Sequence, residues 1–268
     1  LVASVLNLVL PSKMGDLAKA YFMRERSGLS GSLALSLVVF EKACDMLSLL
    51  LWCVFGLAWV RCADPVAMQA FEAPAALAAR GVSSEWFYWL SAAVVGGSLL
   101  LGLLLIGSRA FAAAFFRWAA RFAPKKIGSK LGRLSAAWEE MHGYFWADPR
   151  RLAVVSATSV VIWLMHLLQI WMFILALRAF CPFVANLALS PLAILAGLLP
   201  VPTFGGAGTR DGALIWFYRP YFDGAVAACL GLLCTARYLL PALGGLPFVG
   251  GYLATARRLQ REDSAEAN

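Results

Sequence analysis

Glu41, Lys42 and Asp45 interrupt one apolar run of this sequence, and Arg210, Asp211 and Arg237 interrupt two others. A charge withdrawn from water is costly unless paired, so such groups mark either an ion-pair clamp or a path for a polar ligand. Glu41 and Asp45, at i and i+4, share a helix face and repel when both are ionised; Lys42 and Asp45, at i and i+3, can pair. Glu41 is then left to a proton or a second cation, and Arg237 is the matching partner. Lys13, Asp16 and Lys19 form a further charged set near the amino end. His166 and Gln169, at i and i+3 in a fourth apolar run, read as interhelical hydrogen bonding rather than a proton relay.

The elements that position these charges are unusually apolar. Of 268 residues, 61% are hydrophobic and 14% charged, with a mean hydropathy of +0.74. Soluble domains carry roughly 45–50% apolar and 25% charged residues. The composition therefore predicts a polytopic, all-α membrane helix bundle. Leu1 opens within an apolar stretch, with no charged n-region and no small-residue cleavage site, so it reads as part of something longer with helices upstream. Cys44, Cys53, Cys62, Cys181, Cys229 and Cys234 show no CxxC spacing and read mostly as buried free thiols. Only Cys62 and Cys181 sit at segment ends where a disulfide is conceivable. No metal or cofactor is indicated, and no G-x-x-x-x-G-K-[ST] loop for ATP occurs.

Residues 33–60, 86–107, 152–177 and 224–254 are long and apolar enough to span. Residues 108–151 carry nine Lys or Arg against Glu139, Glu140 and Asp148, which makes this segment cytoplasmic by the positive-inside rule. Phe111, Phe115, Trp118 and Phe122, then Leu131, Leu134, Trp138, Met141 and Phe145, recur at helical spacing. Two amphipathic helices lying on the anionic cytoplasmic leaflet account for both stripes. A nucleic-acid partner has little support. The same sidedness puts residues 61–85 outside and the 256–268 tail inside.

Two apolar stretches do not span. Residues 1–28 break at Pro11 and Gly15, and residues 187–220 break at Pro200, Pro202, Gly205, Gly206 and Gly208. Pro and Gly at that density end helices. Each stretch reads as a re-entrant pair of half-helices, the first entering from the cytoplasm and the second from outside. Both share Leu-Pro, then Gly, then an acid (Asp16, Asp211), then Ala and an aromatic residue. Paired breaks in oppositely oriented halves point to an inverted-repeat transporter site, with coincidental likeness of two Pro/Gly-rich loops as the alternative. The unsatisfied N–H groups of each second half-helix suit an anion such as phosphate, with Arg210 beside one and Lys13 and Lys19 beside the other.

Pro11-Ser-Lys13-Met-Gly15-Asp16-Leu-Ala-Lys19-Ala-Tyr21 with Glu41-Lys42-x-x-Asp45, and Pro200-Val-Pro202-Thr-Phe-Gly205-Gly206-Ala-Gly208-Thr-Arg210-Asp211, resemble the two separated motifs of the lysylphosphatidylglycerol synthase/flippase transmembrane family. Lys19 and Lys42 stand where Arg is usual, and the acids are Asp where Glu is common. The resemblance implies a lipid flippase without the cytosolic transferase domain. It would move phospholipid, such as aminoacylated phosphatidylglycerol, across a bacterial inner membrane without hydrolysing ATP. A cationic amine would be drawn to Glu41, Asp45 or Asp211, and a phosphate to Arg210 and Arg237. The alternative is an accessory subunit or enzyme of lipid-linked aminoacyl or glycosyl transfer. A small-solute transporter and a homo-oligomer both stay open.

Overall fold

A computed structural model describes residues 31–72, 83–122, 125–198 and 208–237, with isolated positions at 79, 81, 239–240, 243–245, 247 and 250. The first break with Pro11, Lys13, Gly15, Asp16 and Lys19 lies outside the described residues, as do Pro200, Pro202, Gly205, Gly206 and the 256–268 tail.

The fold is all-α. Among the described residues, three helices are long and apolar enough to cross a membrane: α1 (Gly31–Ala63), α3 (Ser84–Gly107) and α6 (Pro149–Ala176). A short α2 (Pro65–Met68) and a 3-10 turn (Gln69–Phe71) follow α1. Helices α4 (Arg109–Phe122) and α5 (Lys125–Trp146) occupy the basic segment, and α7 (Phe183–Gly197), α8 (Thr209–Tyr218) and α9 (Gly224–Arg237) follow α6. The fourth predicted span, residues 224–254, is described as a helix only as far as Arg237.

Short polar side chains start these helices by accepting from orphan backbone N–H groups. Asp64 accepts from Ala67 N at 2.9 Å, Ser83 from Trp86 N at 3.2 Å and Asp148 from Arg150 N at 3.1 Å. Pro65 and Pro149 follow their caps at the first helical position, where a missing N–H costs nothing. α6 ends in a Schellman turn: Arg178 takes φ 56°, its N–H donates to Leu175 O and the Ala179 N–H donates to Ile174 O.

Lipid is as apolar as leucine, so close approach and polar contacts hold such a bundle together more than burial from water does. α7 lies at its centre, with every residue from 185 to 194 buried. It packs on α1, α6 and α8 through Leu49, Cys53, Leu57, Ile170, Leu189 and Leu214. At Gly56, a Cβ would come within 2.3 Å of the Ala188 carbonyl oxygen, so hydrogen alone allows α1 and α7 to approach this closely. α3 is the opposite case, exposed along nearly its whole length, with Trp86 and Trp89 outward at its start.

The basic segment departs from expectation. Trp138, Met141 and Phe145 do not lie on a leaflet; they are buried against Phe40 and Cys44 of α1 and Ala112 and Phe116 of α4. Phe145 stacks on Phe40 at 3.8 Å between centroids. An apolar stripe states that a helix face is covered, not by what, and here protein covers α5. Phe111, Trp118 and Phe122 of α4 are exposed and Phe115 is half-buried.

Candidate functional site

The second break is framed by two short helices. At about 1.5 Å per residue, α7 is about 22 Å long and α8 about 15 Å, both short of a roughly 30 Å hydrocarbon core. Gly208 precedes α8 at φ 101°, a conformation that favours glycine. Arg210 and Asp211 follow in the first turn, where an acid complements the positive end of the helix dipole.

Arg210 is buried, only 6% exposed. Its Nε and Nη2 donate to Asp211 Oδ1 at 2.9 and 2.7 Å, and Nη2 also donates to Thr235 Oγ1 at 2.6 Å and to the Gly231 carbonyl at 3.2 Å. Thr235 in turn donates to the same carbonyl at 3.2 Å. The pair therefore ties the start of α8 to α9. Two glycines make room for it: a Cβ on Gly231 would lie 2.7 Å from Asp211 Cγ, and one on Gly197 would lie 2.7 Å from Arg210 Cβ.

The remaining predicted charges fall in two places. Glu41, Lys42 and Asp45 lie beside Phe40 and Cys44, at the level of α5. Lys42 Nζ reaches Asp45 Oδ2 at 3.9 Å, with side chains 48% and 30% exposed, so this is a half-exposed group near the basic end rather than a deeply buried one. Arg237 on α9 donates to Gln169 Oε1 at 3.1 Å. One face of α6 runs between the two places. Trp163 Nε1 donates to the Asp45 carbonyl at 2.8 Å, His166 meets Trp163 edge-on at 5.6 Å, and Gln169 receives Arg237. Gln169 thus makes the interhelical bond expected of it, whereas His166 Nδ1 is buried with no hydrogen bond among the described residues.

Sequence reasoning missed two further features. Asn186 donates to the Leu167 carbonyl at 2.9 Å, and Asn186 Oδ1 accepts from Ser190 at 2.9 Å and Tyr218 at 2.8 Å, which locks α6, α7 and α8 together in the core. Asn186 and Ser190 at i and i+4 in an apolar run were the available signal. At the opposite end from α5, Tyr221 donates to Asp64 at 2.9 Å, and Arg219 donates to the Gln69 and Glu72 carbonyls at 2.8 and 3.1 Å. Phe71 fills the space between Tyr88 and Phe217. Burial, reinforced by Asp64, raises the Tyr221 phenol, so it remains a donor at neutral pH. Burial likewise pushes the Cys181 thiol up to about 12, with Asp64 adding to the shift. All six cysteines are free, Cys62 and Cys229 exposed and the other four buried.

The family model described as the lysylphosphatidylglycerol synthase TM region matches residues 1–263. The chain matches no curated protein and no solved structure.

Proposed function

The chain belongs to the lysylphosphatidylglycerol synthase TM-region family, and on that premise we propose that it moves phospholipid between leaflets of a bacterial inner membrane as a translocator, not an enzyme. The observation that carries this reading is the Arg210–Asp211 pair, buried at the start of a helix too short to span and tied to α9 through Thr235. The segments before α7 and after α8 both meet the same end of the bundle, because Asp64 receives Tyr221 and lies close enough to Cys181 to affect its thiol. That supports a re-entrant hairpin entering from outside. Lys13, Asp16 and Lys19 would build its inverted counterpart at the first break.

In this mechanism a lipid phosphate competes with Asp211 for Arg210, and an aminoacyl ammonium, where one is present, takes the freed carboxylate. Losing the Arg210–Thr235 bond would release α8 from α9, and headgroup passage would follow. Movement would be passive or coupled to a proton on a carboxylate. The basic α4–α5 face lies inside with the carboxyl terminus and draws anionic headgroups.

Reconstitution into liposomes with fluorescent or aminoacylated phosphatidylglycerol, followed by a leaflet-accessibility assay, tests the reading. Wild type is expected to equilibrate the lipid between leaflets, and Arg210→Ala with Asp211→Asn to slow this at least tenfold. Equal rates would remove the site assignment, and no movement of any lipid would remove the function.

A further inference from the structure

We propose that the outward side of α4 docks on an anionic lipid leaflet, with Phe111, Trp118 and Phe122 seated among the acyl chains and Arg117 and Arg121 on headgroup phosphates. This narrows the leaflet contact of the basic segment to one helix, because the α5 stripe is covered by α1 and α4.

The sequence of α4 holds three arginines and no acid. At 3.6 residues per turn it presents three sides. Ala112 and Phe116 form the packed side, buried with Phe40, Cys44 and Trp138. Phe111, Trp118 and Phe122, at i, i+7 and i+11, form an aromatic side, with Trp118 58% and Phe122 76% exposed. Arg117 and Arg121, at i and i+4, lie about a quarter-turn further round and are exposed too. Among the described residues, neither of them makes an ion pair or a side-chain hydrogen bond. Water would leave the aromatic side uncovered, and an apolar protein surface would leave the arginines unpaired. An anionic lipid interface satisfies both, because acyl chains and phosphates lie within one helix diameter of each other there.

The position of α4 fits the same occupant. α3 has 24 residues, about 36 Å of helix, so its ends reach past a roughly 30 Å hydrocarbon core. Ser108 is extended and breaks the helix, and α4 begins at the next residue, which starts it at headgroup level. Ala112 and Phe116 pack in one cluster with Leu105 and Ile106 of α3 and Phe40 of α1, so α4 turns across the bundle here instead of running on into water. Protein contacts hold the corner: Trp138 Nε1 donates to the Leu105 carbonyl at 2.9 Å and Trp146 Nε1 to the Ile106 carbonyl at 3.1 Å. The exposed Leu103 and Leu104 bring the apolar surface of α3 to within about two turns of Phe111 in sequence. The surface is thus built before lipid meets it.

Ala114 is exposed between the aromatic and arginine sides, so Ala114→Cys carries a probe without removing a side chain the contact uses. With the exposed Cys62 and Cys229 replaced by Ser, the full chain is reconstituted into phosphatidylcholine vesicles containing phosphatidylglycerol. A nitroxide at position 114 is expected to collide more with oxygen, which partitions into lipid, than with a water-soluble nickel chelate. An excess of chelate collisions would place this side in water, and shielding from both would place a second copy of the chain on it; either result overturns the proposal. A bimane at the same position reads charge. Spin-labelled phosphatidylglycerol is expected to quench it about fivefold more strongly than spin-labelled phosphatidylcholine, the equivalent of about one arginine at an anionic surface. Arg117→Gln with Arg121→Gln is expected to bring the two lipids to parity, as is high salt. Equal quenching with both arginines present, or a preference that survives their replacement, overturns the proposal. Neither measurement follows movement between leaflets, so failure here is distinct from failure of the translocator reading.

Discussion

Replacing Asp211 by Asn keeps the side-chain shape while removing the charge that Arg210 faces. Arg210 would remain buried with a neutral acceptor and its bonds to Thr235 and Gly231. Stripping one partner from a buried ion pair costs about 3–5 kcal/mol, and the remaining acceptors reduce that to about 2–3 kcal/mol here. Thermal unfolding in detergent should show this loss for Asp211→Asn and a smaller one, about 1 kcal/mol, for Thr235→Val. Similar losses for both would mean that the carboxylate is not the main anchor. His142 gives a pH signature. Burial lowers its imidazole from the usual 6.5; the Ile106 carbonyl partly opposes this, and Arg109 adds to it. The unfolded chain then takes up the proton more readily than the folded one, so stability holds above about 6.5 and falls as pH drops below it, levelling once the lowered folded value is passed. Wild type should lose melting temperature between about pH 7 and 5 more steeply than His142→Gln, and parallel curves would count against the assignment.

Between elements, the two tightest glycines make different predictions. A Cβ at Gly56 meets backbone, the Ala188 carbonyl at 2.3 Å, whereas one at Gly102 meets the end of a flexible side chain, Leu47 Cδ2 at 2.4 Å. Gly56→Ala must therefore separate α1 from α7 and should cost on the order of 2–3 kcal/mol, while Gly102→Ala should cost under about 1 kcal/mol once Leu47 changes rotamer. Unfolding measurements that reverse this order would contradict the α1–α7 packing. The same contrast explains what the sequence could reveal. Spans α1, α3 and α6 were legible from length and hydropathy, and the α4 and α5 stripes from their 3.6-residue period. Arg210 and Asp211 stood out because charge is conspicuous in an apolar run. Their anchors did not, because Gly231 and Thr235 are twenty or more residues away and chemically unremarkable. Asn186, Ser190 and Tyr218 stayed hidden for the same reason: their meaning arises only when three helices meet. The covering of Trp138, Met141 and Phe145 by α1 needed tertiary structure too.

For the whole molecule, orientation in the membrane can be read from two cysteines near one end. Cys62 closes α1, is exposed and carries a free thiol. Cys181 lies between α6 and α7, buried, with its thiol pushed up to about 12. At neutral pH its thiolate fraction is on the order of one in a hundred thousand, and thiolate is the reacting species. Cys229 is exposed on α9, but within an apolar helix whose surroundings are lipid in a bundle of this kind. In intact cells, a membrane-impermeant maleimide should therefore label a variant retaining only Cys62 and leave variants retaining only Cys181 or Cys229 unlabelled. Positive-inside sidedness requires the Cys62 reaction to occur without permeabilisation, because Arg109, Arg117 and Arg121 lie at the opposite end of α3 from Glu85, which pairs with Arg61 at 3.0 Å. Labelling of Cys62 only after permeabilisation would invert the topology. It would then put the basic α4–α5 segment on the outer face and make the α7–α8 pair enter from the cytoplasm, so one labelling experiment sets which leaflet the Arg210–Asp211 pair opens toward.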